Sequence, residues 1–456
     1  MADEAVTITE QAKHTDEQLI RAIGVPGLAA NIVNSTIGAG IFVLPALVAK
    51  GLGPAAPLAF VACAIAMVLF VTCFAIAGSR VSLTGGLYAY VEVAFGRYVG
   101  FLAGALYCLT AISAVAGVVN VCVDSIAGLI PFLSNPFMHV LAIFLVYGAL
   151  VAINIRGVRE GASAVAFVTI AKLLPILVFL CVGVFFIRPV NIAWPGWPDS
   201  KALGDSVILL MFAFVGIEVG LIPSGEVKNP ARTVPRAAYF ALLTTTIIYI
   251  TIQLVAQGTL GPNLANYPKS PLAEAAATFL GDFGRTILLA GATISAFGFT
   301  TSDILSSPRM IFAFGRDGVL PAWFAHVHPR YRSPDVAIVA YTALAFALSI
   351  TGTFEGLAVL SNVAVLMMYL LCCAACWFLV ERDVRTDAPP FSFPGAKIFP
   401  TLAVLAIIAI LAGSAISDSQ VGSDTRTGLR IGAIVIVIAS AFYFLRAKFA
   451  SAGRAL

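Results

Sequence analysis

Long apolar stretches constrain the fold of this chain more than any other feature. Twelve segments are each apolar over about the 20 residues that a helix needs to cross a bilayer. Only 11% of the residues are charged, against about 25% in a soluble domain, and the alternating pattern of barrel strands is absent. We predict an all-α polytopic membrane protein with transmembrane helices at 25–48, 55–79, 98–130, 137–155, 160–187, 204–223, 236–258, 284–314, 335–352, 356–380, 398–417 and 428–446.

The basic residues predict the orientation of these helices. With the N-terminus inside the cell, the inner segments hold nineteen Lys and Arg residues, the outer segments hold seven, and Lys172 lies within a span. By the positive-inside rule, the segments 1–24 and 447–456 are cytoplasmic in a multi-pass protein of the cell membrane. The lipid bilayer is thus the expected surrounding. The net charge of +4 is too small to indicate nucleic-acid binding.

Two glycines interrupt the first apolar segment. Gly38 and Gly40 lie near its middle, and glycine is a poor helix former that leaves helical angles at little steric cost. Irregular backbone at membrane depth is tolerated where it lines a cavity or is buried in protein. The pattern therefore favours a broken helix that faces a ligand. The alternative is that the glycines only allow two helices to pack closely.

The sixth span carries a second interruption. Gly216 lies at mid-depth in this segment, and Glu218 follows two residues later. Two interrupted spans, five helices apart, are typical of inverted-repeat transporters with a site at the membrane midplane. We predict repeat 1 at residues 25–187 (TM1–5), repeat 2 at 204–380 (TM6–10) and a separate helix pair at 398–446 (TM11–12).

Four patches resemble the amino acid–polyamine–organocation (APC) superfamily of transporters. They occur in the family's order and are Ile37–Phe42, Thr84–Tyr90 with Ala94–Gly96, Phe212–Glu218 with Glu226–Pro230 and Val234–Ala237, and Pro308–Arg309 with Gly315–Pro321. The resemblance implies a LeuT-like core of five plus five helices with discontinuous helices 1 and 6. It also implies secondary transport of amino acids or related amines by alternating access.

The chemistry of a small amino acid suggests which groups bind it. Free N–H groups at the start of a half-helix suit a carboxylate, and carbonyls at the end of a half-helix suit an ammonium group. The resemblance places Thr36, Ala39 and Gly40 at substrate positions, makes Phe212 an aromatic gate, and aligns two residues of span three with the pocket wall. The predicted substrate-binding residues are Thr36, Ile37, Ala39, Gly40, Ile41, Thr110, Ala111, Phe212, Ala213, Phe214, Val215 and Gly216.

Three charged residues within spans are candidates for coupling. Lys172, placed against carbonyls of the first break, replaces a bound sodium ion with a fixed charge, carries a proton, or snorkels to the inner face. Glu218 carries a proton, couples the two breaks, or only caps the N–H groups of its half-helix. Asp303 neutralises a cationic substrate, or pairs with Lys172 or with Arg309.

These residues predict an amino-acid permease that is proton-coupled or exchanging and independent of sodium. The alternatives are an antiporter of cationic amino acids or polyamines, and a nutrient sensor with the same fold. An enzyme is disfavoured because no nucleophile or metal motif occurs, and Cys372, Cys373 and Cys376 lie among apolar residues. We therefore predict no metal and no cofactor. The sequence leaves symport, exchange and the oligomeric state open.

Overall fold

The regular structure of the described chain is almost entirely helical. The computed structural model describes residues 23–81, 86–156, 162–194, 196–221, 227–316, 320–384 and 390–452. In these ranges, extended structure is limited to one parallel bridge between Ile23 and Val227. The helices are α1 (Val25–Thr36), α2 (Leu44–Leu52), α3 (Ala56–Arg80), α4 (Leu87–Phe95), α5 (Arg97–Leu129), α6 (Pro136–Arg156), α7 (Ala162–Gly183), α8 (Ser200–Phe214), α9 (Ile217–Gly220), α10 (Pro230–Leu260), α11 (Pro271–Ser306), α12 (Pro308–Arg316), α13 (Asp335–Thr351), α14 (Phe354–Glu381), α15 (Ile398–Ala415) and α16 (Gln420–Ala452).

The lengths of these helices fit a membrane protein. Eight helical stretches among the described residues are long and apolar enough to cross a membrane, and two shorter apolar helices are Ile170–Phe186 and Asp335–Thr351. The two predicted spans outside this set are the first and the sixth. Both are divided, the first into α1 and α2 and the sixth into α8 and α9. The chain is therefore a polytopic helical membrane protein, as its composition predicts.

Three elements differ from the simple pattern of apolar spans. The short helix α4 lies between Gly86 and Gly96, which both have positive φ angles (+57° and +87°). Helix α11 is bent at Gly281, whose φ angle of +62° separates a first segment from the longer second one. Helix α16 continues to Ala452, beyond the predicted end of its span, because a helix need not stop where the bilayer stops.

Some residues of the predicted motifs and segments lie outside the described part of the chain. They are residues 1–22 of the N-terminal segment, 82–85 and 157–161 of repeat 1, 222–226 and 317–319 of repeat 2, and 453–456 of the tail. Among them are Thr84, Gly85, Glu226, Asp317, Gly318 and Val319 of the motifs.

The divided helices are held among the long ones. Helix α10 packs along α1 and α3, and α11 packs along α5 and α7. Helix α9 packs against α1, and α2 packs against α8, so the two divided helices contact each other on both sides of their interruptions. The interruptions therefore lie side by side within the bundle.

A buried carboxylate fastens the first half of the sixth span to the last two helices. Asp205 of α8 accepts hydrogen bonds from the hydroxyls of Ser414 (3.1 Å), Ser417 (2.7 Å) and Ser419 (2.6 Å) at the turn between α15 and α16. Asp205, Ser414 and Ser417 are almost fully buried. A buried charge is tolerated only with such partners. We refer to this contact as the Asp205 anchor.

We predict that Asp205→Ala lowers the free energy of unfolding by about 2–4 kcal/mol, because buried hydroxyls lose a charged acceptor. Thermal and denaturant unfolding of the purified protein, followed by tryptophan fluorescence, measures the loss. Asp418, an exposed acid in the same turn, provides the control, and Asp418→Ala should change the free energy by less than about 0.5 kcal/mol. Equal effects of the two variants would contradict a stabilising role for the Asp205 anchor.

Candidate functional site

The first helix opens at its two glycines. Helix α1 ends at Thr36, Ile37 has non-helical angles (φ −75°, ψ 89°), and a single 3₁₀ turn at Gly40–Phe42 leads into α2. The N–H groups of Ala39, Gly40 and Ile41 donate no hydrogen bond to any residue that the structure describes. Helix starts with unused N–H groups attract negatively charged groups. The opening therefore offers an anion-binding turn.

The sixth span opens directly beside the first. Val215 is extended (ψ 134°) and Gly216 has a φ angle of +116°. A Cβ atom on Gly216 would lie only 2.4 Å from the carbonyl oxygen of Ser35, and the hydroxyl of Ser35 donates to the Gly216 carbonyl at 2.9 Å. Only glycine fits both the backbone angle and this approach. The two breaks are therefore in direct backbone contact.

Tyr249 of α10 joins the two breaks, and the sequence did not single it out. Its hydroxyl lies 3.0 Å from the Thr36 carbonyl oxygen and 2.8 Å from that of Ala213, and donates its proton between them. The ring of Phe214 packs edge-on against Tyr249, with 5.3 Å between the ring centroids. A buried tyrosine in an apolar span has no distinguishing motif, so only its contacts reveal this bridge.

Lys172 of α7 lies against the end of α1. Its Nζ atom donates to the carbonyl oxygens of Asn34 (2.6 Å) and Ile37 (3.0 Å), and its side chain is almost fully buried. The ammonium group thus satisfies carbonyls that the opened helix leaves without intrahelical partners. This is the position against the first break that we expected. Which of its expected roles applies stays a prediction.

Glu218 of α9 forms hydrogen bonds at the second break. Its carboxylate accepts hydrogen bonds from the N–H of Gly216 (3.1 Å) and from the hydroxyl of Tyr369 on α14 (2.6 Å). The side chain is 4% exposed. The carboxylate therefore holds the positive-φ glycine of the break and ties it to α14, whether or not it also carries a proton.

A small cavity lies between the two breaks. Its volume is about 30 Å³, and most of the predicted substrate-binding residues line it. The ring of Phe212 closes one side, where it meets Phe354 edge-on at 5.5 Å between the ring centroids. A Cβ atom on Gly40 would lie 2.8 Å from this ring. The lining residues are Ser35, Thr36, Gly38, Ala39, Gly40, Ile41, Ala114, Val118, Phe212, Ala213, Val215 and Phe299.

A larger cavity, the vestibule cavity, adjoins the small one. It measures about 440 Å³ and extends toward the end of the bundle where α1 begins and α11 ends. Thr110 and Ala111 line it, together with the three charged residues of the spans. The polar residues of its wall are Asn31, Asn34, Ser35, Tyr107, Thr110, Lys172, Glu218, Thr301, Ser302, Asp303 and Ser306. Ile37 and Gly216 also contribute, whereas Phe214 lines neither cavity.

Asp303 has hydroxyl partners in place of the cations that we expected. Its carboxylate accepts from Ser307 at 2.8 Å and from the hydroxyl of Tyr341. The proposed pairs with Lys172 and Arg309 do not form among the described residues. Lys172 is engaged by carbonyls of α1 and of the break that follows it, and Arg309 comes after the end of α11. The acid therefore faces the vestibule cavity without a basic partner.

Two polar residues of α14 pack against neighbouring helices beside the site. Ser361 donates to the carbonyl of Thr110 at 3.1 Å, and Asn362 donates to that of Ile208 at 2.6 Å. Both side chains are fully buried and line neither cavity. They hold helices together, because a buried polar group in a membrane bundle takes the nearest backbone acceptor.

The comparisons with known proteins agree with one another. The amino acid permease family model matches residues 23–449. Three similar proteins of Bacillus subtilis (strain 168) are the serine/threonine exchanger SteT, the branched-chain amino acid permease BcaP and the methylthioribose transporter. SteT is 27% identical over 89% of this chain and 94% of its own length. BcaP is 26% identical over 86% of this chain and 87% of its own length. The methylthioribose transporter is 31% identical over 72% of this chain and 74% of its own length.

We predict that Gly216→Ala destabilises the fold by about 2–4 kcal/mol, because a side chain there is strained and meets the Ser35 carbonyl. The matched control is Gly38→Ala, where an added Cβ meets nothing within 4 Å and the φ angle is not left-handed. Melting of the purified variants measures both. Similar melting temperatures for the two variants would show that the contact between the breaks contributes little.

Proposed function

The chain belongs to the amino acid permease family, and we propose that it carries an amino acid across the cytoplasmic membrane by alternating access. The observation that carries this proposal is the contact between two helix breaks, with the anion-binding turn of Ala39–Ile41 on one side and the Phe212 ring on the other. Paired half-helices inside a membrane are an established way to bind a small zwitterion.

The substrate carboxylate binds the N–H groups of Ala39, Gly40 and Ile41 in this proposal. These groups have no other partner in the described chain, and the side chain of Ala39 offers no hydroxyl, so the backbone makes the contact. The ammonium group faces the carbonyls at the two helix ends. The Thr36 carbonyl already accepts from the Tyr249 hydroxyl and from the N–H of Gly38. The Ala213 carbonyl accepts from Tyr249 and can accept a second hydrogen bond from the ammonium group.

The architecture that supports this function is the inverted repeat. We propose twelve spans, with repeat 1 at 25–187, repeat 2 at 204–380, a peripheral pair at 398–446 and both termini in the cytoplasm. The interruption of the first and sixth spans at equivalent places supports the repeat. The excess of Lys and Arg on one side supports the orientation.

With this orientation, the cavities describe one state of a transport cycle. The vestibule cavity lies on the cytoplasmic side, and the contact of Phe212 with Phe354 and Gly40 closes the opposite side. Transport then requires that the aromatic contact opens while the vestibule closes. Phe212 is the gate in this scheme, and the rigid contact between the breaks moves as a unit.

Lys172 makes the transporter independent of sodium in this proposal. Its ammonium group holds the Asn34 and Ile37 carbonyls, which are the kind of oxygen ligands that a sodium ion needs. The coupling is then to protons or to a counter-substrate, with Lys172, Glu218 and Asp303 as the titratable groups at the cavity.

We predict that Lys172→Ala lowers uptake by more than about tenfold, because two carbonyls lose a charged donor. Proteoliposomes are tested with a panel of labelled amino acids and amines, with and without a proton gradient, sodium and internal counter-substrate. Lys201→Ala, at the exposed start of α8, is the control.

Sodium-dependent uptake that Lys172→Ala leaves unchanged would contradict the role of Lys172. Substrate binding without uptake under any gradient would identify a nutrient sensor with the same fold instead of a transporter.

A further inference from the structure

The vestibule cavity has an excess of acidic groups. Its charged residues are Lys172, Glu218 and Asp303. The Lys172 ammonium group is held by backbone carbonyls, and the Glu218 carboxylate is held by Gly216 and Tyr369. Asp303 has only hydroxyl partners, and no Lys, Arg or His of the described chain pairs with it. An acid in a cavity of low polarity attracts a cationic ligand group, because few other charges compensate it.

The position of Asp303 on α11 gives the distance between the small cavity and the cationic group of a ligand. Phe299 lines both the small cavity and the vestibule cavity, whereas Asp303 lines only the vestibule cavity. Both residues lie on α11 and are four positions apart, so they occupy one face of the helix and are separated by about 6 Å along its axis. A ligand that fills the small cavity with its α-carbon therefore needs a side chain of roughly this length to reach the acid.

Basic amino acids have side chains of this length. An extended ornithine or lysine side chain has four or five bonds beyond the α-carbon and covers about 5–6 Å, since each bond of about 1.5 Å advances the chain somewhat less than its length. The volume of the vestibule cavity, about 440 Å³, lies within the range of about 300–1,000 Å³ that is usual for small-molecule sites. The wall along this path adds the hydroxyls of Thr301 and Ser302.

We propose that Asp303 binds the side-chain cation of the substrate, so that the site selects amino acids with an ammonium or guanidinium group about one helical turn from the α-carbon. This proposal rests on the transport function proposed above and assigns a substrate class to the same site. Asp303 is then a specificity-determining residue, and its hydroxyl partners Ser307 and Tyr341 orient its carboxylate.

The test measures binding of a ligand series to the purified full-length protein. The series is 2,3-diaminopropionate, 2,4-diaminobutyrate, ornithine and lysine, and norleucine is the neutral analogue of lysine. We expect affinity to rise along the series to ornithine or lysine. Lysine should bind about 10- to 100-fold more tightly than norleucine, the range expected for a charged hydrogen bond.

Three variants separate the charge of Asp303 from its structural contacts. Asp303→Asn should lower lysine affinity far more than norleucine affinity, so that most of the difference between the two ligands is lost. Asp303→Glu should restore the preference and shift the optimum to a side chain that is one methylene shorter. Tyr341→Phe removes a hydrogen bond to the same carboxylate but keeps the charge, and should retain the preference for lysine.

A matched control lies farther along α5, about 21 Å from Thr110 of the vestibule wall. Asp124 of α5 pairs with Lys269 at 2.7 Å and lines neither cavity. Asp124→Asn should leave the order of the ligand series unchanged, because the removed charge is remote from the vestibule cavity.

The outcomes distinguish this inference from the transport function. Binding or uptake of neutral amino acids, with no preference for lysine over norleucine, overturns the inference and leaves the transport function standing. An unchanged series in Asp303→Asn, or an equal loss of lysine and norleucine binding in that variant, also overturns it. If no amino acid of any class is bound or transported, the proposed function itself fails.

Discussion

The backbone contact between the two broken helices is the constraint on which the rest of the site depends. Gly216 approaches the Ser35 carbonyl more closely than any side chain would allow, and the Ser35 hydroxyl returns a hydrogen bond to Gly216. Opened helices leave polar backbone groups at membrane depth, where each unsatisfied group is costly. Side chains of the surrounding helices form hydrogen bonds with these backbone groups. The contact therefore determines which residues must surround it.

Three side chains from different helices satisfy the opened backbone. Lys172 donates hydrogen bonds to two carbonyls at the end of α1, and Tyr249 donates to one carbonyl from each break. Glu218 accepts a hydrogen bond from the N–H of Gly216. The N–H groups of Ala39, Gly40 and Ile41 remain without partners in the described segment. The neighbouring helices therefore pair several carbonyls at the opened ends and leave these N–H groups available.

The parts of this arrangement that break a general rule could be predicted from the amino-acid sequence. Glycines inside a span and charges at membrane depth are rare, and this rarity identifies Gly38, Gly40, Gly216, Lys172 and Glu218. Tyr249, Phe299 and Tyr341 could not be identified in this way. Aromatic residues are ordinary in an apolar span (the chain has 32 phenylalanines), and only their contacts across helices distinguish them. The same reason applies to Ser361 and Asn362, whose partners are backbone carbonyls of neighbouring helices.

The Asp205 anchor has a mechanical consequence for the protein in its membrane. Helix α8 runs without interruption from Ser200 to Phe214, so Asp205 and Phe212 lie on one stiff rod about 10 Å apart. The α15–α16 pair, which has many exposed apolar side chains, contacts one end of that rod, and the Phe212 ring is at the other. A tilt of the peripheral pair would therefore reach the Phe212 ring through the Asp205 anchor and the packing of α15 against α8 around it, which would couple the bilayer mechanically to the site.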